Sequence, residues 1–411
     1  MSRVFRSCRP DIEAELRRRL RDLDVEVEWD TALADITQDH RGVTALVGHA
    51  TVRCGWLAGC DGAHSTVRKL TGIGFPGVRI TEQFLLADVH ADWPADRAGG
   101  HGWPHEDGPL FAMPMRDVGR ADDLWRLMAY DPTGAIPAGE EEILERFRRL
   151  VPERTGRNDI RIRDAVWTSV FRAHRRLADT YRDGRVFLAG DAAHIHSPLG
   201  GQGMVTGMGD AENLAWKLAL VVHRRADEVL LDTYEAERRP LATDVLRGTT
   251  TSTRLQVSDS PLMRFLRRRV LVPVVNLPSV QRKASQIASQ LWVSYRRGPL
   301  GGGAMSRLGR RPRPGDRVPD LACVRADGSR TRLHAEVGGR WALLTPAEGA
   351  DEHLDQARKR LDDGVVALTG AQRRDVWLVR PDAHLAWRGH SAPARLGEWL
   401  DDALRSRTAA Q

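Results

Sequence analysis

The sequence predicts an α/β chain in which a doubly wound unit is interrupted by an antiparallel sheet and followed by a smaller α/β domain. Three observations carry that expectation. The apolar run Val186 to Ala189 passes through the glycine-rich GDAAHIHSPLGGQGM (190–204) into the helical pattern MVTGMGDAENLAWKLALVV, the strand, turn, helix order of a parallel-sheet unit. Between residues 75 and 166 the pattern changes to short alternating segments, EQFLLADVHADW, GPLFAMPM and DLWRLMAY, parted by Gly, Pro and Asp, which is how antiparallel strands read. Beyond residue 319, strand-like RWALLTP, GVVALTG and DVWLVRP alternate with helical LDQARKRLDD and ARLGEWLDDAL.

Taken in order, residues 11–23 place Ile12, Leu16, Leu20 and Leu23 on one helical face, with Asp11 available as a cap. Val25 and Val27 alternate with Glu26 and Glu28 as in a strand, and GVTALV and residues 54–59 predict two more strands before the turn GCDGAHSTVRK (59–69). The antiparallel part holds one helical stretch, EEILERFRRLV. RVFLAGD then returns to the first architecture. In the helix after it, Met208, Ala211, Ala215, Leu218 and Val222 recur at three- and four-residue spacing and predict the buried face. Helices continue through DEVLLDTYEAERRPLATDVL to about residue 292, and residues 296–319 concentrate Gly, Pro and Arg in a linker pattern. The expected division is 1–74 and 166–295 for the two parts of the first domain, 75–165 for the inserted sheet, 296–315 for the linker and 316–411 for the last domain.

With 411 residues, 41% of them hydrophobic and 28% charged, the composition is that of a globular chain with substantial cores. The balance of 62 basic against 55 acidic residues gives +7. The only lysines are Lys69, Lys217, Lys283 and Lys359, and the arginines are scattered among acids, so no basic block marks a nucleic-acid partner. No run approaches the roughly 18 apolar residues that span a bilayer. The first residues carry no apolar signal core, so the expected location is cytoplasmic. Cys8, Cys54, Cys60 and Cys323 form no Cys-x-x-Cys and no metal-ligand spacing, which predicts reduced packing residues and no metal.

Two turns carry chemistry. In RVFLAGD the strand leaves Asp191 at its carboxyl end, where open α/β sheets bind ligands and where a carboxylate accepts hydrogen bonds from sugar-type hydroxyls. Around Pro198, residues Gly200, Gly201 and Gly203 lack side chains, so backbone N–H groups can approach a flat ligand, and the following helix N-terminus favours negative charge. In GCDGAHSTVRK, Asp61-Gly62 makes a tight turn, Ser65 caps the next helix, and Arg68 lies where its guanidinium can clamp a carboxylate or phosphate.

Both motifs, in this order and separated by an inserted sheet, resemble the class A flavoprotein aromatic hydroxylases of the polyketide, anthracycline and rifamycin branch. GCDGAHSTVRK resembles that family's DG motif and GDAAHIHSPLGGQG its GD motif; DAENLAWKLALV and DTYEAERRP continue the likeness, which runs over essentially the whole chain. The resemblance implies an incomplete Rossmann-like FAD-binding domain, an antiparallel substrate sheet and a thioredoxin-like C-terminal domain. It implies FAD and transient NADPH as cofactors, O₂ and an aromatic or polyketide-type small molecule as partners, and oxygen transfer through a flavin C4a-hydroperoxide. Carried onto this sequence, Arg9, Asp61, Gly62, Arg68, Asp191, Pro198, Gly201, Gln202, Gly203, Met204 and Val205 face the cofactor. His101, Trp103, His105, Phe111 and Met113 are the expected substrate lining. No catalytic nucleophile is implied.

Three departures accompany the likeness. The family's opening strand, Gly-x-Gly-x-x-Gly and helix are not found; Gly72-Ile-Gly74-Phe-Pro-Gly77 fits the spacing but follows a helical stretch and leads into a strand. Arg9 stands where the family has glutamine, and Val205 where it usually has asparagine. These leave two further expectations: a chain shortened at its N-terminus, or a flavin-free remnant that binds a partner without turnover. The last domain, without Cys-x-x-Cys, is expected to serve packing or homodimer contact instead of redox exchange.

Overall fold

The computed structural model describes residues 9–105, 107–115, 123–196, 202–257, 289–301, 312–346, 351–370, 375–389 and 393–404, with scattered positions between 265 and 287. The first helix, α1 (Arg9–Arg21), forms where the spacing predicts it. Its apolar face is only partly covered: Ile12 and Leu20 are half-buried and Leu16 is 54% exposed, while Leu23, expected on the same face, lies past the helix end and is 60% exposed. Val25 and Val27 form no strand, because no neighbouring segment among the described residues supplies the hydrogen-bonding partner a strand requires.

β1 (Leu33–Asp39), β2 (Gly42–Val47) and β3 (Ala50–Cys54) make an antiparallel meander. Asp39 Oδ1 accepts the N–H groups of Arg41 and Gly42 at 2.7 and 3.0 Å and so turns β1 into β2. The chain then changes sheets. Cys54 still pairs with Val43, whereas Leu57 pairs in parallel with Val186. The apolar run expected as one strand is therefore two, β3 and β4 (Leu57–Gly59), divided at Gly55-Trp56.

The inserted sheet is built from β5 (Gly77–Asp92), β6 (His101–Trp103), β7 (Leu110–Pro114), β8 (Leu124–Asp131) and β9 (Arg161–Leu177). Its register fixes two faces. Leu85, Ala87, Val89, Leu110, Ala112, Leu127 and Ala129 alternate onto one, which is covered by Ile143, Leu144, Phe147, Leu150 and Val151 of α3 (Glu140–Thr155). Three glutamates in α3's first turn suit its N-terminal dipole, and Gly156 ends it in the left-handed region at φ 69°. The opposite face carries Leu86, Phe111, Met113, Met128 and Ser169, none of them fully buried.

A short sheet follows, in the order β10 (Arg182–Asp183), β11 (Val186–Leu188), β4, with no strand on the outer edge of β4 among the described residues. β12 (His194–Ile195) joins the inserted sheet at the edge of β9, giving β12-β9-β5-β8-β7-β6. α4 (Gly203–Val222) and α5 (Asp232–Val257) are the long helices after it.

The C-terminal sheet runs β14 (Arg330–Arg332), β13 (Ala322–Arg325), β16 (Val365–Gly370), β15 (Trp341–Thr345), β17 (Val376–Val379), β18 (Leu385–Gly389), with α6 (Asp351–Leu361) and α7 (Pro393–Leu404) packed on it. That core is continuous with the first unit, since Trp216 of α4 and Trp341 of β15 meet edge to face at 5.2 Å. Cys54, Cys60 and Cys323 are free thiols.

Candidate active site

β4 and β11 are in parallel register, Leu57 beside Val186 and Gly59 beside Leu188, so the chain leaves both strands at one edge of the sheet. Ligands of open α/β sheets bind beyond such carboxyl ends. The two sequence motifs therefore emerge side by side.

Gly59 lets the short helix α2 (Thr66–Leu70) lie on the strand, since a Cβ there would come within 2.7 Å of the Val67 Cβ. The Asp61 carboxylate accepts the N–H groups of Thr66 and Val67 at 2.6 and 3.1 Å, and Ser65 Oγ accepts that of Arg68 at 2.9 Å. Both side chains thus satisfy orphan donors of the helix start. Burial works to raise the Asp61 carboxyl, but hydrogen bonds from Ser65 and the backbone hold it below the ordinary carboxylate range. Gly62 takes φ 80°, a conformation that favours glycine.

Arg68 does not reach into an open cleft. Its Nη1 donates to the Ala192 carbonyl at 2.7 Å and its Nη2 to the Ala63 carbonyl at 2.9 Å, while its guanidinium lies 3.8 Å from the Phe75 ring centroid. The side chain is buried and ties the first turn to the second.

In the second turn Gly190 takes φ 60° and donates its N–H to Asp210 Oδ2 at 3.0 Å. Gly207 of α4 touches it so closely that an added Cβ would stand 3.3 Å from the Gly190 Cα. Asp191 follows, exposed, at the carboxyl end of β11. β12 then pairs His194 with Leu177, stitching the turn to the inserted sheet. At the start of α4, Gln202 is buried and gives no side-chain cap, Gly203 lies against the His196 ring, Met204 is 49% exposed and Val205 is half-buried. Pro198, Gly200 and Gly201 lie outside the described residues, as does the Arg9 side chain.

The expected buried face of α4 is reversed. Met208 is 37% and Val222 60% exposed, and Ala211 and Ala215 are exposed as well. Thr206, Asp210, Asn213, Leu214, Trp216 and Lys217 are buried instead. The reason is charge pairing with α5 and the C-terminal domain. Asp210 accepts from Arg238 Nε at 2.6 Å and is bonded to His194 Nε2 at 2.7 Å; Lys217 donates to Glu237 at 2.9 Å and to Asn213 at 2.7 Å. Burial works to raise the Asp210 carboxyl, yet Arg238 and His194 hold it low. Sequence reasoning missed these residues. The available signal was polar residues at Asp210, Asn213 and Lys217 on one helical face, matched by Glu237-Arg238 in the next helix.

The expected substrate residues do not share one surface. Phe111 and Met113 stand on the half-open face of the inserted sheet, paired with Met128 and Arg126. His101 and Trp103 alternate onto the other face, where Trp103 packs on the α3 core and meets Trp93 at 5.6 Å. His105 lies beyond β6, its Nδ1 3.6 Å from an Asp107 carboxylate oxygen. The half-open face also holds an ion pair, the bidentate contact of Arg126 with Asp88, both contacts at 2.7 Å.

Residues 3–249 match the model of an FAD binding domain, and residues 311–407 that of the C-terminal domain of aromatic-ring hydroxylases. The chain belongs to the FAD-dependent aromatic-ring hydroxylases. It is 35% identical to a 12-dehydrotetracycline 5-monooxygenase/anhydrotetracycline 6-monooxygenase of Streptomyces rimosus subsp. rimosus, over 97% of this chain and 79% of that protein. To a rifampicin monooxygenase of Rhodococcus hoagii it is 31% identical, again over 97% and 79%. Among solved structures it resembles CabE, an aromatic hydroxylase from angucycline biosynthesis, with a TM-score of 0.74 at 29% identity, covering 96% of this chain and 80% of that one. These relatives are monooxygenases, and they lend no support to the reading of a flavin-free remnant. No helix among the described residues is long and apolar enough to cross a membrane.

FAD is the cofactor of this hydroxylase family, and the flavin end of the site has the matching chemistry. The 20-residue α4 starts without a side-chain cap from Gln202, and among the described residues no partner is seen for its first backbone N–H groups, which suits an anionic ligand; Asp191 offers an exposed acceptor at the carboxyl end of β11. The diphosphate has no comparable cradle among the described residues. Asp61 caps α2 and Arg68 is held by two carbonyls, while Gly72 to Gly77 runs from a helix into β5.

Proposed function

We propose that this hydroxylase inserts one oxygen atom from O₂ into a fused-ring, phenolic, polyketide-type small molecule, using NADPH as the transient reductant. The observation that supports this most is the convergence of the two turns at the shared carboxyl edge of β4 and β11, with β12 carrying the second turn onto the inserted sheet. Bound FAD would supply the electron transfer and oxygen activation.

The protein's own contributions follow from its residues. Asp191 would accept hydrogen bonds from the ribityl hydroxyls, and the N–H groups of Gly203, Met204 and Val205 would serve the ring system, where a helix terminus favours developing negative charge. Gln202 and Gly62 would complete this side of the pocket, which Asp61 shapes through its cap on α2. The substrate lies on the half-open sheet face, against Phe111, Met113 and Leu86, with the Arg126 and Asp88 pair as its polar contact. An apolar wall with one fixed polar pair orients a flat ligand and keeps water from the reacting carbon. In this reading residues 1–74 and 166–295 make the cofactor domain, 75–165 the substrate sheet, 296–315 the linker and 316–411 the thioredoxin-like domain. The protein works in the cytoplasm, with small molecules as its partners.

The test begins with visible absorption of the purified chain after incubation with FAD and gel filtration. NADPH oxidation is then followed with a panel of fused-ring phenols, and products are examined by mass spectrometry. Flavin retained with the protein and a product heavier by one oxygen are expected. Retained flavin whose reduction and reoxidation ignore every fused-ring phenol would refute the substrate assignment.

A further inference from the structure

We propose that the C-terminal domain, which lacks a redox dithiol, acts as a clamp: its β17 to β18 turn positions the Gly190 to His194 turn through a buried chain of hydrogen bonds, ion pairs and one ring contact. This proposal rests on the reading of that turn as the flavin site.

The clamp enters between α4 and α5. Arg380, at the end of β17, donates to both carboxylate oxygens of Glu237, at 2.8 and 2.9 Å, and to both of Asp382, at 3.0 and 2.5 Å. Asp382 also accepts from Asn213 and from the Trp216 indole at 3.3 Å. The His384 ring, two residues on, lies against that of Tyr295, centroids 4.2 Å apart and tilted by 37°. The Tyr295 hydroxyl accepts from Arg238 Nη1 at 2.8 Å, and the same guanidinium donates to Asp210 and to the Thr206 carbonyl. Asp210 ends the chain by accepting the Gly190 N–H and bonding His194. Asp210, Glu237, Arg238, Tyr295, Arg380, Asp382 and His384 are all less than 5% exposed.

This arrangement exceeds what adhesion between domains requires. Three carboxylates, Asp210, Glu237 and Asp382, stand against three cations, Lys217, Arg238 and Arg380, so these charges balance. Apolar residues of equal volume would hold two domains together as well or better, whereas directional contacts fix one geometry. The backbone is shaped to admit them. Ala383 takes φ 58° to make the turn, and Gly209 leaves only 3.0 Å between a would-be Cβ and the Arg238 guanidinium. Each carboxylate oxygen of Asp210 is already used, so a shift of Arg238 must move the acceptor of the Gly190 N–H. Tyr295, Arg380 and Asp382 are accordingly positioning residues.

The experiment compares hydrogen exchange in the full-length wild type, Asp382→Asn and Tyr295→Phe, reading the peptide over residues 186–196 against one over residues 341–345 in β15. FAD affinity is measured in parallel by flavin fluorescence. Tyr295→Phe deletes only the hydroxyl and keeps the ring on His384, so it tests the link without opening a cavity. The expected result in both variants is exchange about tenfold faster in residues 186–196, unchanged exchange in β15, and FAD affinity lowered to a similar degree. Unchanged exchange at 186–196 in both variants overturns the clamp, and so does equal acceleration of both peptides, which would mean general loosening. If exchange responds as expected but no form of the protein binds FAD, the clamp stands and the flavin reading fails.

Discussion

Replacing Arg68 with methionine separates a structural tie from a ligand clamp. The substitution removes two hydrogen bonds from a charged donor, to Ala192 and Ala63, and a contact with the Phe75 face. Hydrogen bonds to charged groups contribute ~1.5–3 kcal/mol each. Methionine refills much of the volume and keeps part of the contact with Phe75, so the lower end of that range applies and the expected loss is about 3 kcal/mol. Since 1.4 kcal/mol is tenfold, protection from exchange at the carboxyl ends of β4 and β11 should fall about 100-fold. The assay is hydrogen exchange of the FAD-free protein over residues 57–71 and 186–196, with β15 as the internal reference. Stability unchanged without ligand, together with weakened FAD binding, would show that Arg68 serves the cofactor directly and would refute the reasoning from its two carbonyl partners.

Other consequences follow from the same geometry. Gly190→Ala forces an L side chain into the left-handed region, costing about 1–2 kcal/mol, and should weaken FAD binding while β15 exchange stays constant. Trp103→Ala should cost about 2 kcal/mol of stability, as for a half-buried aromatic, so lowering the thermal midpoint, and leave substrate KM unchanged. Phe111→Ala should raise KM, an effect that Trp103→Ala lacks; equal KM in the two variants would contradict the assignment of the sheet faces. Burial works to raise the Glu237 carboxyl, but Arg380 and Lys217 hold it at about 2, below its unfolded value, so its contribution is present above the ordinary carboxylate range and lost as pH falls towards 2. Acid titration of α4 and α5 exchange should therefore be steeper in wild type than in Glu237→Gln.

The periodic parts of the fold were legible. GVTALV, EEILERFRRLV and the three C-terminal strands lie where their spacing places them, because propensity and burial point the same way there. The two turn motifs were also readable, since the tight turn at Asp61-Gly62 and the Ser65 cap can be read from a single sequence, whereas the close approaches at Gly59 and Gly190 are visible only in the fold. What misled was hydrophobic periodicity in α4. Met208, Ala211, Ala215, Leu218 and Val222 form a regular stripe, yet the interior took the face bearing Asp210, Asn213 and Lys217. Periodicity counts apolar residues and has no means of pairing Asp210 with Arg238 or Glu237 with Arg380 across the chain. The same blindness placed His101 and Trp103 with Phe111, because alternation gives the faces of one strand but not their phase relative to the next.

The second turn is held from every side by a different element. β4 sets its level, Gly207 its distance from α4, Arg68 its link to the first turn, Asp210 its backbone direction, and β12 its attachment to the inserted sheet. A turn so constrained cannot adjust to each substrate, so adaptation must lie on the half-open sheet face, whose residues make few commitments to the core. Hydrophobic shape alone discriminates weakly, by about 1–3 kcal/mol per methylene, whereas an unmet buried hydrogen-bond partner rejects far more strongly. The Arg126 and Asp88 ion pair is the charged feature described on that face, and because each partner fixes the other's geometry, any substrate oxygen must approach the pair as it stands. Exchange of Asp88 for asparagine should consequently change which ring substituents are accepted while leaving FAD affinity as it was, and a parallel loss of both would place the pair in the scaffold instead.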